Sequence, residues 1–375
     1  MPVPVPVPVL ARATADVAWR RVLAGLTLAT VATCACADLS WFLEQGIGQA
    51  EVLAAARPIA PLLADPRTPP KVRQRLALAV AARRYAKQLG LDVGLQYRDV
   101  VFLDAPALVY VVSAAPRASL QPYLWSYPFV GDLPYRGSFD LDDAEALAVE
   151  LAGQGFDVDV RPVTTYSLLG ILPDPVVSTM LFRSDELDIV ETVIHELSHA
   201  TVFVPGQGAF NEGLATFIGK QGRRQFVEQH YGLHSAIVRR MTELDRDDDA
   251  YQRAVGALAF DVRVLFAQSG ALGDEEILMR KDRIFLAHQR HWQQEVAPTL
   301  LSWRHRRAVL PDNNAELSAF GLYSLKQRVY QEAYAACRED MRCFLGVLRA
   351  AAAEADPELA LAERVRLRKP EGLLP

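Results

Sequence analysis

Two histidines and a glutamate stand at His195, Glu196 and His199, within the stretch VIHELSHATVF. On one helix, residues four positions apart leave the same face one turn apart, so both imidazoles can converge on one metal ion. Glu196 lies about 100° around the helix, beside the metal and not on it. That placement suits a carboxylate that takes a proton from a metal-bound water, which is the chemistry of the H-E-x-x-H pattern.

The third ligand is predicted from FNEGLATFIG, which begins eleven residues after His199. A catalytic zinc takes three protein ligands and keeps one position open. The apolar residues of this stretch form one stripe of a second helix, and Glu212 projects from another face. We predict one Zn²⁺ per chain, held by His195, His199 and Glu212. Asn211 and Thr216 are predicted to support the ligands, Thr216 as a hydrogen-bond partner of a histidine.

The alternative is a pair of surface histidines on an amphipathic helix. The chain has seven histidines in 375 residues, and a chance H-E-x-x-H in such a chain has a probability of roughly 0.01. His230 and His234 have the same spacing, but Gly232 interrupts them and no acidic partner follows closely. We predict that this second pair is solvated.

A capped helix and a tight turn must position the three ligands. Asp185 and Asp188 have the spacing of an N-terminal cap for the helix that carries the histidines. That helix must end near Pro205 and Gly206, because these residues interrupt helical structure. The turn VPGQG would then fold the second helix back against the first.

The rest of the chain predicts an α+β fold that is mostly helical. KVRQRLALAVAARRYAKQLGL is amphipathic and ends at a glycine, and nearly everything from residue 184 onward has helical periodicity. ALVYVVSAA and FDVDVRPV favour strands, with the helical DDAEALAVELAGQG between them. We predict a small sheet at roughly 100–175 and no regular βα alternation of the Rossmann type.

Composition predicts a soluble globular chain with one domain over residues 37–375. Hydrophobic residues make up 51%, charged residues 23%, and the formal net charge is −5. This length supports a sizeable core. The mildly acidic balance gives no support for nucleic-acid binding.

Residues 1–36 are predicted to be a leader. The Pro-Val repeat MPVPVPVPVL favours an extended, solvated segment, and Arg20 and Arg21 precede the short apolar run VLAGLTLATVATCACA. Cleavage before Asp38 fits the small-x-small rule. Alternatively the chain is a lipoprotein with Cys36, or Cys34, as the lipidated residue. We expect export to the periplasm, with an N-terminal lipid as the membrane anchor.

The other two cysteines are Cys337 and Cys343. In one continuous helix their Cα atoms would lie about 9 Å apart, beyond the reach of a disulfide. A bond therefore requires the chain to turn within REDMR, and two buried free thiols are the alternative. Because an exported chain meets an oxidising compartment, we predict that the two cysteines are bonded.

At the zinc motif the chain resembles the gluzincin metallopeptidases, whose third ligand is a glutamate on a second helix. It is similar to a bacterial family of predicted aminopeptidases, which are typically exported lipoproteins. Four more stretches carry that similarity: WFLEQGIGQAEVLAAARPI, YPFVGDLPYRGSFD, TYSLLGILPDPVVSTML and LPDNNAELSAFGLY. The resemblance implies a zincin-like metallopeptidase domain, His195, His199 and Glu212 as zinc ligands, and Glu196 as the catalytic base.

Peptide hydrolysis also needs a donor for the developing oxyanion. Tyrosine commonly serves in gluzincins, so the resemblance implies Tyr135 and Tyr323 as candidates, with Tyr166 as a third. The predicted function is a zinc-dependent peptidase, an aminopeptidase by family, acting on peptide substrates. The alternatives are an envelope protein that binds metal and a partner without turnover, and an amidase that cleaves a non-peptide bond of the cell wall.

Overall fold

The computed structural model describes residues 39–127, 131–163, 173–268, 272–324 and 327–368. The chain divides into two compact units, residues 1–51 and 52–375, and the described residues of the first belong to one helix. The predicted leader, Cys34, Cys36 and Tyr166 lie outside the described residues. Of Tyr323 only the backbone is described. The division into a leader and one domain stays a prediction.

The described chain is mostly helical, as predicted. Its α-helices are α1 (Leu39–Ala55), α2 (Ile59–Ala64), α3 (Pro70–Leu89), α4 (Leu141–Gly153), α5 (Ser178–Arg183), α6 (Glu186–Thr201), α7 (Gly208–Tyr231), α8 (Ala236–Ala267), α9 (Asp274–His291), α10 (Trp303–Arg306), α11 (Asn314–Ser324), α12 (Gln327–Ala336), α13 (Met341–Ala352) and α14 (Pro357–Arg368). A π-helical turn (Trp292–Val296) and a 3₁₀ turn (Ala297–Thr299) follow α9.

The strands form three small sheets in the described residues, where the sequence predicted one. They are β1 (Arg57–Pro58), β2 (Asp99–Val101), β3 (Val109–Pro116), β4 (Trp125–Tyr127), β5 (Gly131–Leu133), β6 (Arg136–Ser138), β7 (Phe156–Val163) and β8 (Val176–Val177). The sheet orders are β1-β2-β8, β6-β3-β7 and β4-β5. Only β3 and β7 are long enough to show an alternation of apolar and polar residues. The sequence pattern therefore could not predict the shorter strands.

The two predicted strands β3 and β7 pair antiparallel along their whole length. Alternate side chains of this pair face α4, the helix predicted between them, and form a small apolar cluster with it. That cluster contains Val112, Ala114, Ala144 and Leu151, with Val158 and Val160 packed against it. An antiparallel pair with a helix packed on one face is the α+β arrangement that the sequence predicted.

The main core surrounds α6. Ile189, Val193 and Leu197 are each fully buried, as their helical spacing predicted. The amphipathic helix predicted after Pro69 is α3; it begins with proline at its first position and ends at Gly90, which has a left-handed φ of 98°. Proline suits the first helical turn and glycine suits this end, so both ends of α3 are encoded locally.

The predicted disulfide is confirmed. Cys337 and Cys343 are bonded, with their Cα atoms 5.7 Å apart. The chain turns between α12 and α13 because Arg338 and Glu339 adopt left-handed φ values of 53° and 62°. The turn within REDMR therefore exists, and it brings the two sulfur atoms together.

Helices suited to crossing a membrane were sought throughout the described residues, and no helix there combines the necessary length with a sufficiently apolar sequence.

Candidate metal centre

The helix that carries the histidine motif, α6, begins with a capping box. The Asp185 carboxylate accepts hydrogen bonds from the backbone N–H groups of Leu187 and Asp188, and the Asp188 carboxylate accepts one from the N–H of Asp185. The predicted cap is thus present, and two charged side chains satisfy N–H groups that have no partner inside the helix. The helix ends at Thr201, shortly before the predicted stop at Pro205 and Gly206.

The turn from α6 into α7 is held by Asn211. Its side-chain oxygen accepts from Val204 N at 2.9 Å, and its side-chain nitrogen donates to Val204 O at 2.8 Å. Both bonds tie the loop to the first turn of α7, next to Glu212. Asn211 therefore holds the loop beside Glu212, a predicted ligand, and its side chain makes no hydrogen bond to His195 or His199 among the described residues.

Two glycines bring α7 against α6. A Cβ on Gly219 would lie 3.2 Å from His195 Cβ, and a Cβ on Gly222 would lie 2.8 Å from Ile194 Cγ2. Larger residues at these positions would push the helices apart. The close approach lets Glu212, on the first turns of α7, reach the histidines of α6. The sequence reading did not use these glycines, although their three-residue spacing on one helix face was a visible signal.

His195, His199 and Glu212 converge in the structure. His195 Nε2 lies 3.5 Å from Glu212 Oε2, and His199 Nε2 lies 3.7 Å from Glu212 Oε1. One ligand atom from each residue falls within 4.8 Å of the others. Tetrahedral zinc with bonds of 2.0–2.2 Å needs neighbouring ligand atoms about 3.4 Å apart. The two distances from the histidines to Glu212 are close to that value, so these three residues could hold a metal ion.

The protonation of the two histidines differs because their surroundings differ. Burial lowers the pKa of His199 to about 4, so this imidazole is neutral and free to act as a ligand. Burial also acts to lower the pKa of His195, but the hydrogen bond that its imidazole donates to Glu212 and the charges of Glu196, Glu212 and Glu191 outweigh it and raise the pKa to about 9. Three carboxylates thus surround one imidazole, and such a site favours a bound cation.

The H-E-x-x-H pattern predicts Glu196 as the catalytic base, and the surroundings of its carboxylate are compatible with that role. Burial raises its pKa to about 7, with further upward contributions from Glu212 and Asp174 and a downward one from His195. A general base works best when its pKa lies near the working pH. A carboxylate with this pKa can both take up and return a proton near neutrality.

Asp174 also contributes to the electrostatic surroundings of Glu196, and the sequence did not predict this. It is buried, its backbone N–H donates to the side chain of Gln96, and its carbonyl accepts from Tyr97 N at 2.7 Å. Its charge acts on Glu196. The signal was weak: a single acidic residue between two prolines, in LPDPVV, is typical of a turn.

Tyr135 is the candidate oxyanion donor that the structure brings to the centre. It directly precedes β6 and is partly buried, and Tyr127 donates its hydroxyl to Tyr135 O at 3.3 Å. Burial raises the pKa of Tyr135 above its usual range, and the charges of Glu212 and Glu196 raise it further. Its hydroxyl is therefore within electrostatic reach of both carboxylates and stays protonated. The roles of Tyr323 and Tyr166 stay predictions.

Thr216 shows no contact of the predicted kind. Among the described residues, no hydrogen bond joins it to a histidine, and His199 Nδ1 is buried without a hydrogen-bond partner. Ligating imidazoles usually donate their second nitrogen to a neighbour. The predicted role of Thr216 therefore stays untested, and the structure offers no geometry in its favour.

The matched family gives the first indication of activity. A family model described as "Putative aminopeptidase" matches residues 40–360. The chain belongs to this family. The matched range contains the three converging ligands, Glu196 and Tyr135, and membership supports a peptidase. Searches among curated proteins and among solved structures returned no match.

In this member of the family, an ionic network lies next to the three residues that could hold a metal ion. Arg223 of α7 is buried and pairs with Glu191, one turn before His195 on α6, and with Asp245 of α8. Lys220 pairs with Asp248 in the same region. The network ties the two ligand-bearing helices to α8. The sequence indicates this network only through Glu191, which stands four residues before His195 on the same helix face.

Proposed function

We propose that this protein is a zinc-dependent peptidase. The observation that carries the proposal is the convergence of His195, His199 and Glu212 beside Glu196, whose pKa of about 7 suits a general base. Family membership supports a peptidase on its own. A structural metal site would not need Glu196 in this place, which favours turnover over mere binding.

The residues divide the work of hydrolysis among them. His195, His199 and Glu212 would hold the zinc, and zinc in such a site supplies Lewis acidity that makes water a nucleophile near neutral pH and polarises a carbonyl. Glu196 accepts the proton of the attacking water and delivers it to the leaving amine. The Tyr135 hydroxyl donates a hydrogen bond to the carbonyl oxygen as negative charge develops there.

The test is cleavage of a peptide library by zinc-loaded protein. We expect new termini that disappear after chelation and return when zinc is restored. The position of the cut relative to the free N-terminus will show whether the protein removes single residues. Cell-wall amides belong in the same experiment, because cleavage of those alone would favour the amidase alternative. No cleavage of any substrate by zinc-loaded protein would favour the binding protein without turnover.

We further propose that the protein is exported and anchored by lipid at Cys36. The support is the leader pattern of Arg20 and Arg21 followed by a short apolar run that ends in CACA. Intact mass of protein extracted from membranes is the measurement. Retention of the Pro-Val repeat in the mature chain would contradict export, and a chain that starts at Asp38 would contradict lipidation.

A further inference from the structure

Strand β7, at one edge of the sheet β6-β3-β7, has one polar face. Val158 and Val160 of β7 face α4 with the apolar cluster. Successive side chains of a strand point to opposite faces, so Asp157, Asp159 and Arg161 stand on the other face. On the same face, the neighbouring strand β3 carries Val109 and Val111 of the main core, so the charged residues lie beside apolar ones.

Helix α11 covers that polar face and also contacts α7, the helix of Glu212. Asn314 N, in the first turn of α11, donates to Asp157 Oδ2 at 3.1 Å, and the Asn313 side chain donates to Val158 O at 3.3 Å. The polar face of β7 is therefore on the side of α11 and α7, and α4 packs on the opposite face of the sheet.

The strand register puts Arg161 and Tyr135 on the same face. Arg161 stands opposite Val111, and Val111 stands opposite Gly137. Directly paired residues of antiparallel strands share a face, and so do residues two apart on one strand. Tyr135, two residues before Gly137, is therefore on the face of Arg161, two strand spacings across and two residues along, or about 12 Å between backbones. Val111 of the central strand β3 also has its side chain on this face, between Arg161 and β6.

The charged residues of this row differ in what they contact. Asp157 is paired with Lys281 at 2.7 Å. Among the described residues, the Arg161 guanidinium makes no hydrogen bond and no ion pair, although the side chain is partly buried. Its positive charge nevertheless acts on Glu212, a proposed ligand, and on Asp159 and Glu316. Arg161 is thus a partly desolvated cation beside the metal centre with five N–H donors to offer.

We propose that Arg161 binds a carboxylate of the substrate next to the bond that is cut, and so sets the substrate class as peptides with an anionic group at that position. The inference rests on the proposed function. A guanidinium matches a carboxylate with two parallel hydrogen bonds, and a partly buried guanidinium whose N–H donors have no hydrogen-bond partner among the described residues gains most from such a ligand. The carboxylate has two sources, the free C-terminus of a short peptide or an acidic side chain.

The kinetic test compares three peptides of the same core sequence. One has a free C-terminal carboxylate, the second is its C-terminal amide, and the third is an amide with glutamate beside the cut. The proteins are the unaltered chain, Arg161→Gln, Arg161→Lys and the matched control Arg67→Gln, whose arginine is 89% exposed on a surface loop. We expect the unaltered protein to prefer an anionic peptide over the neutral amide by at least about tenfold.

Arg161→Gln should lower kcat/KM for the anionic peptide by about 10- to 100-fold and leave the neutral amide unchanged. Arg161→Lys keeps the charge but not the planar fork, so we expect an intermediate loss. Arg67→Gln should change nothing. Whether the free acid or the glutamate peptide shows the loss identifies the source of the carboxylate. Equal losses on acid and neutral amide would mean a structural role for Arg161 and would overturn the proposal.

A binding measurement keeps this proposal separate from the proposed function. Calorimetric titration of the same peptides into zinc-loaded Glu196→Gln protein needs no turnover. We expect Glu196→Gln protein to bind an anionic peptide more tightly than the amide. The double variant Glu196→Gln, Arg161→Gln should lose that difference. If the unaltered protein hydrolyses nothing but this difference in affinity is present, the proposed peptidase activity is overturned and the carboxylate site is not. Equal affinities for acid and amide would overturn the site itself.

Discussion

Two pairs of histidines have the same four-residue spacing but lie in different structural settings. His195 and His199 lie within one continuous helix, α6. His230 lies in the last turn of α7, Gly232 ends that helix with a φ of 83°, and His234 follows outside it. Spacing brings two imidazoles to one face only while the helix continues between them. The glycine therefore separates the second pair.

Burial and charge complete the difference. The first pair is enclosed, and Glu212 approaches both imidazoles. The second pair is exposed, and His230 stacks on Phe226 at 5.2 Å between ring centroids. Among the residues that the structure describes, His195, His199 and Glu212 are the group that could hold a metal. A histidine pair becomes a candidate site when a second element supplies a carboxylate and excludes water.

The largest effect should come from removing either ligand of the first pair. His195→Ala or His199→Ala should reduce bound zinc from one per chain to none and abolish hydrolysis, because two ligands cannot fix the coordination. His230→Ala and His234→Ala should keep full metal content. Metal analysis of the four purified variants checks this. Stoichiometric zinc in His195→Ala would show that the ligands lie elsewhere.

The next largest effect concerns Tyr135, which has no counterpart at the second pair. Tyr135→Phe removes only the hydroxyl, so zinc content and melting temperature should stay unchanged while kcat falls about 10²- to 10³-fold. Steady-state kinetics with the best library peptide is the measurement, and Tyr231→Phe beside His230 is the matched control. Full activity of Tyr135→Phe would remove this residue from the mechanism and leave Tyr323 and Tyr166 as candidates.

A smaller effect is expected from the network behind the first pair. Arg223→Met leaves Glu191 and Asp245 without their buried partner and should destabilise the fold by about 3–5 kcal/mol. Zinc affinity should fall about tenfold, because Glu191 lies one turn from His195. Denaturant unfolding and a zinc competition assay measure the two effects. Arg67→Met, at an exposed ion pair, should leave the denaturant midpoint nearly unchanged. Equal stabilities of the two variants would contradict the importance of the network.

The smallest expected effect is the release of a proton when zinc binds. In the metal-free protein the pKa of His195 is raised to about 9 and that of His199 is lowered to about 4. Only the neutral imidazole binds metal, so at pH 8 zinc must displace one proton, from His195. Apparent affinity should fall about tenfold per pH unit as the pH drops below 9. Calorimetry in two buffers of different ionisation enthalpy counts the proton. Zinc binding without proton release would contradict this charge arrangement.

The sequence predicted what local rules encode. The cap at Asp185, the continuous helix through His199 and the glycine stop at Gly90 follow from residue types at fixed offsets, and all three are present. The ligand set was also accessible, because a turn between two amphipathic helices places Glu212 near the histidines. Each of these inferences spans only a few turns of helix.

Longer-range features were not predicted. Asp174 and Arg161 come from different parts of the chain than the zinc motif, and only tertiary packing places their charges beside Glu196 and Glu212. Two-residue strands such as β1 and β8 carry no periodicity, so a single sheet was predicted where three exist. The sequence shows charged residues at every second position of β7, at Asp157, Asp159 and Arg161. It does not show which elements pack against that face of the strand.

The central claim is that Glu196 carries the proton in metal-assisted hydrolysis. Glu196→Gln keeps the size of the side chain but cannot accept a proton. One preparation should therefore show one zinc per chain, an unchanged melting temperature and a kcat lowered by about 10²- to 10⁴-fold. Metal content, thermal unfolding and peptide turnover measured together test this directly. A Glu196→Gln protein that binds zinc and cleaves peptides as fast as the unaltered chain would contradict the account.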